Sequence, residues 1–313
     1  MSMELVEKVL AGDRLALARL VSRIENNGAE ARAALAALYP YTGRAHRVGV
    51  TGAPGTGKST LVNEMAKVWR RQGQTVGIVA VDPTSPFSGG ALLGDRIRMR
   101  DLAGDPGVFI RSMATRGSLG GLARATGDAV KVLDAAGFDI VLIETVGAGQ
   151  SEVDIARTAH TVLVVEAPGF GDDVQAIKAG ILEIADILVV NKADQPSAEH
   201  TARTLRAMLD LGQARRSWQP PILETVATEG QGVADVVEAV TRHRAYLETS
   251  GELARQERER VTAELHYLLR EALVARWLRQ IPDGQVDAAI ERILAREVDP
   301  HTAVEELIAS VGG

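Results

Sequence analysis

No cysteine occurs among the 313 residues, so disulfides and thiolate metal sites are excluded. A chain without them is expected in the cytoplasm. Histidine is also sparse. The six histidines (His46, His160, His200, His243, His266 and His301) are spread so that no two share a helical turn, and a histidine-rich metal cluster is not expected. No apolar run approaches the roughly 18 residues of a membrane span. No long basic run exists and the net charge is −6, which argues against nucleic acid or an anionic membrane as partner. The opening residues, Met1 to Lys8, lack the charged-then-apolar layout of a secretory signal. Lysine is the last scarce residue: only Lys8, Lys58, Lys67, Lys131, Lys178 and Lys192 stand among 35 basic residues. Where a chain otherwise prefers arginine, a lysine invites the question of what its compact charge does there.

What is present is an alternation of short apolar runs and helical stretches. Residues 1–45 read as helical, with apolar stripes through Leu5, Val6, Val9 and Leu10 and through Leu15, Leu17, Leu20 and Val21. Asn26-Asn27-Gly28 breaks that pattern and Pro40 ends it. Residues 46–245 carry apolar runs at 48–50, 76–81, 140–143, 161–165 and 187–190, with helical segments at 59–71, 122–136 and 173–185 between them. Such an order predicts an α/β fold with a mostly parallel sheet covered by helices on both faces. Residues 246–313 turn helical again. Val261, Leu265, Leu268, Leu269, Ala272, Leu273 and Trp277 recur at three- and four-residue spacing. They form a stripe that fits either packing on the same domain or a homodimer arm. The chain is thus read as an N-terminal helical segment, a central domain and a C-terminal helical extension.

The first chemical motif is Gly52-Ala53-Pro54-Gly55-Thr56-Gly57-Lys58-Ser59. It matches the phosphate-binding pattern G-x-x-x-x-G-K-[ST] and lies between a predicted strand and a predicted helix, which makes the domain a P-loop NTPase. Its glycines permit turns that point backbone N–H groups at a phosphate, aided by the positive end of the following helix. Lys58 is expected on the β- and γ-phosphates, Ser59 on Mg²⁺, and Thr60 beside them.

The second motif, Asn191-Lys192-Ala193-Asp194, follows the run 187–190. A carboxylate at Asp194 accepts the two adjacent donors of guanine, whereas adenine would leave it facing an acceptor. Lys192 can lay its stem on the base, and Asn191 can tie the loop to the P-loop or to the base. The stretch Thr225-Val226-Ala227-Thr228 reads as a further base loop, with the Ala227 amide on the guanine carbonyl and a plain turn as its alternative. The nucleotide is therefore GTP or GDP.

The run at 140–143 leads into Glu144-Thr145-Val146-Gly147, where many GTPases carry D-x-x-G. Glu144 is expected in the Mg²⁺ shell and in catalysis. Asp82, ending another predicted strand, is a second Mg²⁺ candidate, with a turn cap as its plain alternative. Gln150 is the candidate water-positioning residue, two places later than in Ras-type proteins. Arg96, Arg98 and Arg116 are candidate cations, each with a salt-bridge partner as its plain alternative. Slow intrinsic hydrolysis that a partner accelerates is expected.

These strings carry a family resemblance. Leu93-Gly94-Asp95-Arg96-Ile97-Arg98-Met99, Thr115-Arg116-Gly117-Ser118-Leu119-Gly120-Gly121 and Ile143-Glu144-Thr145-Val146-Gly147-Ala148-Gly149-Gln150 are three of them, and Pro168-Gly169-Phe170-Gly171-Asp172-Asp173-Val174-Gln175-Ala176-Ile177-Lys178 is a fourth. Through them the chain resembles the MeaB/MMAA/ArgK family of P-loop GTPases. Ala148 departs slightly from the usual valine. The resemblance implies a homodimeric chaperone that uses GTP to gate adenosylcobalamin loading and to protect a cobalamin-dependent acyl-CoA mutase. It implies Asp82, Asp95 and Glu144 as Mg²⁺-site residues. It also implies Asp172, Asp173, Gln175 and Lys178 as the segment coupling nucleotide state to the mutase. Read without it, Asp172 and Asp173 would cap a helix. Two alternatives accompany this reading. A nickel-enzyme metallochaperone would be marked by Cys/His ligands near the nucleotide loops, and the chain has no cysteine. A kinase linked to amino-acid transport would need a phosphoacceptor that the motifs do not supply.

Overall fold

The computed structural model describes residues 2–25, 28–82, 99–102, 104–114, 121–145, 151–169, 179–211 and 217–311. In chain order the elements are helices α1 (Ser2–Leu10), α2 (Arg14–Glu25) and α3 (Ala29–Leu38), a 3-10 turn at Tyr39–Tyr41, then strand β1 (His46–Thr51) and α4 (Lys58–Arg71). There follow β2 (Val76–Asp82), β3 (Val108–Ala114), α5 (Gly121–Ala135), β4 (Ile140–Thr145), α6 (Ser151–Thr158), β5 (Thr161–Glu166), α7 (Ala179–Ile184) and β6 (Ile187–Asn191). The rest are α8 (Ala198–Leu211), β7 (Ile222–Thr225), α9 (Val233–Ser250), α10 (Glu252–Leu278), α11 (Gln285–Leu294) and α12 (Pro300–Val311).

The strands form one seven-stranded sheet in the order β3-β2-β4-β1-β5-β6-β7, and every ladder in it is parallel. Strands β4, β5 and β6 are buried along their whole length, as a sheet covered on both faces requires. Successive side chains feed opposite layers. On one face Val48, Val50, Leu142, Leu163 and Val189 meet Leu61, Met65 and Trp69 of α4 and Val236, Val237 and Val240 of α9. On the other, Val141, Ile143, Val164, Leu188 and Val190 share a core with Leu133 of α5, Ile155 of α6 and Leu205 of α8. Leu17, Leu20 and Val21 of α2 and Leu38 of α3 extend that second core.

Two features differ from the sequence expectation. The N-terminal region breaks once more than predicted, because the Asp13 carboxylate accepts the Leu15 and Ala16 N–H groups (2.8 and 3.0 Å) and opens α2 there. Pro40 does mark the end of the third helix: α3 stops at Leu38 and Pro40 lies in the 3-10 turn that follows. Strand β3 was not predicted: Arg111 and Ser112 interrupt its apolar pattern, and the strand lies at the sheet edge. Arg111 is held from outside the sheet by Glu25 of α2, with N–O distances of 2.7 and 2.6 Å.

The chain divides into two units, Met1–Leu253 and Ala254–Gly313. The N-terminal helices belong to the first, and the sequence boundary at 245 falls inside α9. In the second unit, Ile281, Ala289 and Ala303 are buried, and Arg292 pairs with Glu306 at 2.6 Å. Helix α10 has no buried residue, and Val261, Leu265, Leu269 and Leu273 stand between 48% and 62% exposed. Among the described residues, no helix is long and apolar enough to cross a membrane.

At the amino-terminal ends of the strands lies a polar cluster that the sequence did not announce. His46 of β1 and His243 of α9 both meet the Thr161 hydroxyl at 2.8 Å (through Nε2 and Nδ1), and all three side chains are buried. Trp218 packs on His243 at a tilt, with ring centroids 4.7 Å apart, and donates its indole N–H to the Asp186 carbonyl at 2.8 Å. Burial, and secondarily the neighbouring His160, pushes the His243 pKa down to about 4. Burial also holds His46 well below the ordinary histidine range. The Asp186 carboxylate, 3.5 Å from His243 Nε2, therefore faces a neutral ring near pH 7.

Candidate nucleotide site

The carboxyl ends of the parallel strands form the crevice where ligands of such sheets bind. The P-loop emerges there from β1, the central strand, and runs into α4. Two glycines are demanded by its path. Gly52 has φ 139° and lies against the Val165 carbonyl of β5, which a Cβ would approach to 2.0 Å. Gly57 adopts the left-handed conformation, φ 92°, and a Cβ there would stand 2.3 Å from the Asn191 amide nitrogen. Only glycine accommodates both the dihedral and the approach. Thr56 closes the turn by donating its hydroxyl to the Ala53 carbonyl at 3.0 Å. Pro54 and Gly55 are exposed at the loop tip.

Lys58 opens α4 and is only 5% exposed. Its ammonium donates to the Gly52 and Ala53 carbonyls, each at 2.8 Å. The charge is thus folded over the loop whose N–H groups would surround a phosphate. Ser59, the next residue, donates its hydroxyl to Glu144 Oε1 at 2.5 Å, and both side chains are buried. Their hard oxygens suit Mg²⁺, a cation that takes oxygen ligands almost exclusively. Thr60 follows them, half-buried.

The second motif meets the first through Asn191. Its amide nitrogen donates to the Thr56 carbonyl at 2.8 Å, while its oxygen accepts the Thr225 hydroxyl at 3.0 Å and the Ala227 N–H at 3.1 Å. One buried carboxamide therefore joins the P-loop, the end of β6 and the loop after β7. The Ala227 N–H already has an acceptor in this arrangement, so a guanine carbonyl would have to share it or draw it from Asn191. Lys192 is half-buried with φ 59°, a left-handed conformation that turns the chain sharply out of β6. Asp194 and Thr228 are exposed at the crevice end of the sheet.

The profile described as methylmalonyl-CoA mutase-associated GTPase MeaB matches residues 17–281. The chain belongs to the MeaB family. As a MeaB-family GTPase it binds guanine nucleotide and hydrolyses GTP. Among its relatives, a protein named as a GTPase in Pyrococcus abyssi is 49% identical over 313 residues, covering 99% of this chain and 97% of that one. GTPase ArgK of Escherichia coli is 36% identical over 291 residues, covering 90% and 84%. The mouse protein named methylmalonic aciduria type A homolog, mitochondrial, is 38% identical over 212 residues, covering 66% of this chain and 51% of its own. A solved structure titled LAO/AO transport system kinase superposes with TM-score 0.76 at 26% identity, covering 100% of this chain and 98% of that one.

Several predicted residues of this MeaB-family chain lie outside the described residues: Asp95, Gln150, Asp172, Asp173, Gln175 and Lys178, as do Arg96, Arg98 and Arg116. Asp82 closes β2, opposite Ala114 of β3, with its side chain likewise outside the described set. The sequence reading overlooked Thr51 and Thr145. These last residues of β1 and β4 are buried, and the Thr145 hydroxyl donates to that of Thr51 at 3.1 Å. A threonine directly before the first P-loop glycine and another directly after Glu144 was the available signal.

Proposed function

We propose that this GTPase is a homodimeric chaperone that gates adenosylcobalamin loading and protects a cobalamin-dependent acyl-CoA mutase of the methylmalonyl-CoA type. The observation that carries the reading is the family match over residues 17–281, whose description names methylmalonyl-CoA mutase. The string Pro168 to Lys178 adds to it, with Asp172, Asp173, Gln175 and Lys178 as the contacts that convey nucleotide state to the mutase.

In this reading the P-loop from Gly52 to Thr60 wraps the phosphates, held by its backbone N–H groups other than at Pro54, which has none. Lys58 leaves the Gly52 and Ala53 carbonyls to meet the β- and γ-phosphate oxygens. Asp194 accepts the two guanine donors, Lys192 covers the base, and Thr225, Ala227 and Thr228 line its far edge. Ser59, Glu144, Asp82 and Asp95 would hold Mg²⁺, which supplies charge neutralisation for the phosphates. The buried contact between the Ser59 hydroxyl and the Glu144 carboxylate supports that assignment. Gln150 orients the attacking water, and intrinsic turnover is slow until the mutase binds. The homodimer rests on the exposed apolar stripe of α10, which a soluble monomer would seldom leave uncovered.

The test is co-purification with a methylmalonyl-CoA mutase in the presence of GDP or of a non-hydrolysable GTP analogue. A complex in at least one nucleotide state is expected. No complex in either state overturns the chaperone reading, and rapid GTP turnover by the isolated protein overturns the partner-dependent one.

A further inference from the structure

The ladder between β1 and β4 ends with Val50 opposite Glu144. The next residue on each strand is a threonine, and each stands at a chemical boundary. Thr51 precedes the first P-loop glycine, and Thr145 follows the carboxylate that receives the Ser59 hydroxyl. Adjacent side chains of a strand point to opposite faces of the sheet. Glu144 therefore reaches Ser59 on the α4 face, and Thr145 reaches Thr51 on the other, at 3.1 Å. Thr51 is 0% exposed and Thr145 4%, so water does not compete for this bond.

The ends of the two strands are consequently tied on both faces. The Ser59–Glu144 bond uses groups that a hydrolytic site needs for its substrate. The Thr51–Thr145 bond uses groups that face away from α4. We propose that Thr51 and Thr145 form a positioning pair for GTP hydrolysis, keeping the end of β4 registered on the P-loop strand while Ser59 and Glu144 engage the nucleotide. The inference rests on the GTPase activity alone and is independent of the mutase reading.

The test is a double-mutant cycle with Thr51→Val and Thr145→Val, each nearly isosteric and lacking the hydroxyl. Turnover is measured with GTP and no partner protein. Each single variant should lower kcat by about tenfold with KM moving less than about threefold, because misplacement of catalytic groups is felt mainly in the transition state. The double variant should be no slower than the slower single, since both remove the same bond. Thr145→Ser should restore turnover. Hydrogen exchange in the GDP-bound protein provides a readout without catalysis: amides at the ends of β1 and β4 should exchange faster in both valine variants. The proposal is overturned if either single variant keeps kcat within about twofold, or if the two losses multiply as independent effects do. A loss in Thr145→Val that Thr51→Val does not reproduce also overturns it, because Thr145 would then act on the substrate directly. If the valine variants do not fold, the same cycle with Thr51→Ala and Thr145→Ala is read by the same criteria.

Discussion

At the scale of single residues, the site is held by a few groups with more than one task. Lys58 is bonded to two loop carbonyls. Lys58→Ala should lower GTP turnover by about 100-fold or more, the usual cost of deleting a principal charge-stabilising donor. Single-turnover assays check this, and retention of wild-type turnover would remove Lys58 from the catalytic set. Asp194→Asn should reverse the preference between guanosine and xanthosine triphosphates, by roughly 100-fold or more, because a carboxamide offers one donor where the carboxylate accepted two. Competition binding with the two nucleotides measures it. Both residues were legible from their motifs, since phosphate and guanine chemistry dictate residue type at fixed spacing. The threefold engagement of Asn191 was legible only as alternatives. Its partners, Thr56, Thr225 and Ala227, come from the P-loop, the end of β7 and the turn after it, which the fold alone brings together.

At the scale of elements, four strands and one helix terminus show what patterns convey and what they omit. Strands β4, β5 and β6 were readable because burial on both faces demands unbroken apolar runs. Strand β3 was not, since at the edge of the sheet Arg111 is satisfied by Glu25, a residue of a separate helix. The turn into α4 is tightly constrained, and Gly57→Ala should destabilise the protein by about 1–3 kcal/mol through the left-handed dihedral and the Asn191 contact. A urea midpoint unchanged from wild type would contradict that. At the opposite strand ends, His243 has a folded pKa of about 4 against an ordinary 6.5. The depressed value means the folded state resists protonation. Stability is complete above about pH 6.5, falls as the pH drops through the interval, and is fully lost to this group below about pH 4. The loss is on the order of 3 kcal/mol. His46 acts with the same sign. Urea titrations at pH 7.5 and 4.5 check the slope, and His243→Phe should flatten it.

At the scale of the whole molecule, the chain separates a nucleotide-binding unit from a smaller helical one, and the two invite different experiments. The apolar positions of α10 were evident as a periodicity, but periodicity alone did not say whether they faced inward. Their exposure, 62% for Leu265 and 52% for Leu269, supports a second copy of the chain as their cover. The double substitution Leu265→Glu and Leu269→Glu should convert a dimer to a monomer by light scattering while leaving GTP binding intact. A wild-type protein that is already monomeric would exclude the arm. The placement of the tryptophans bears on all such measurements. Trp69 is sealed in the core on the inner face of the P-loop helix, Trp218 rests on His243 at 4.7 Å, and Trp277 is half-buried in α10. Each indole thus samples a different part of the chain. Single-tryptophan versions would turn intrinsic fluorescence into three local gauges: of the nucleotide-binding layer, of histidine protonation through quenching of Trp218, and of subunit association, with no dye attached.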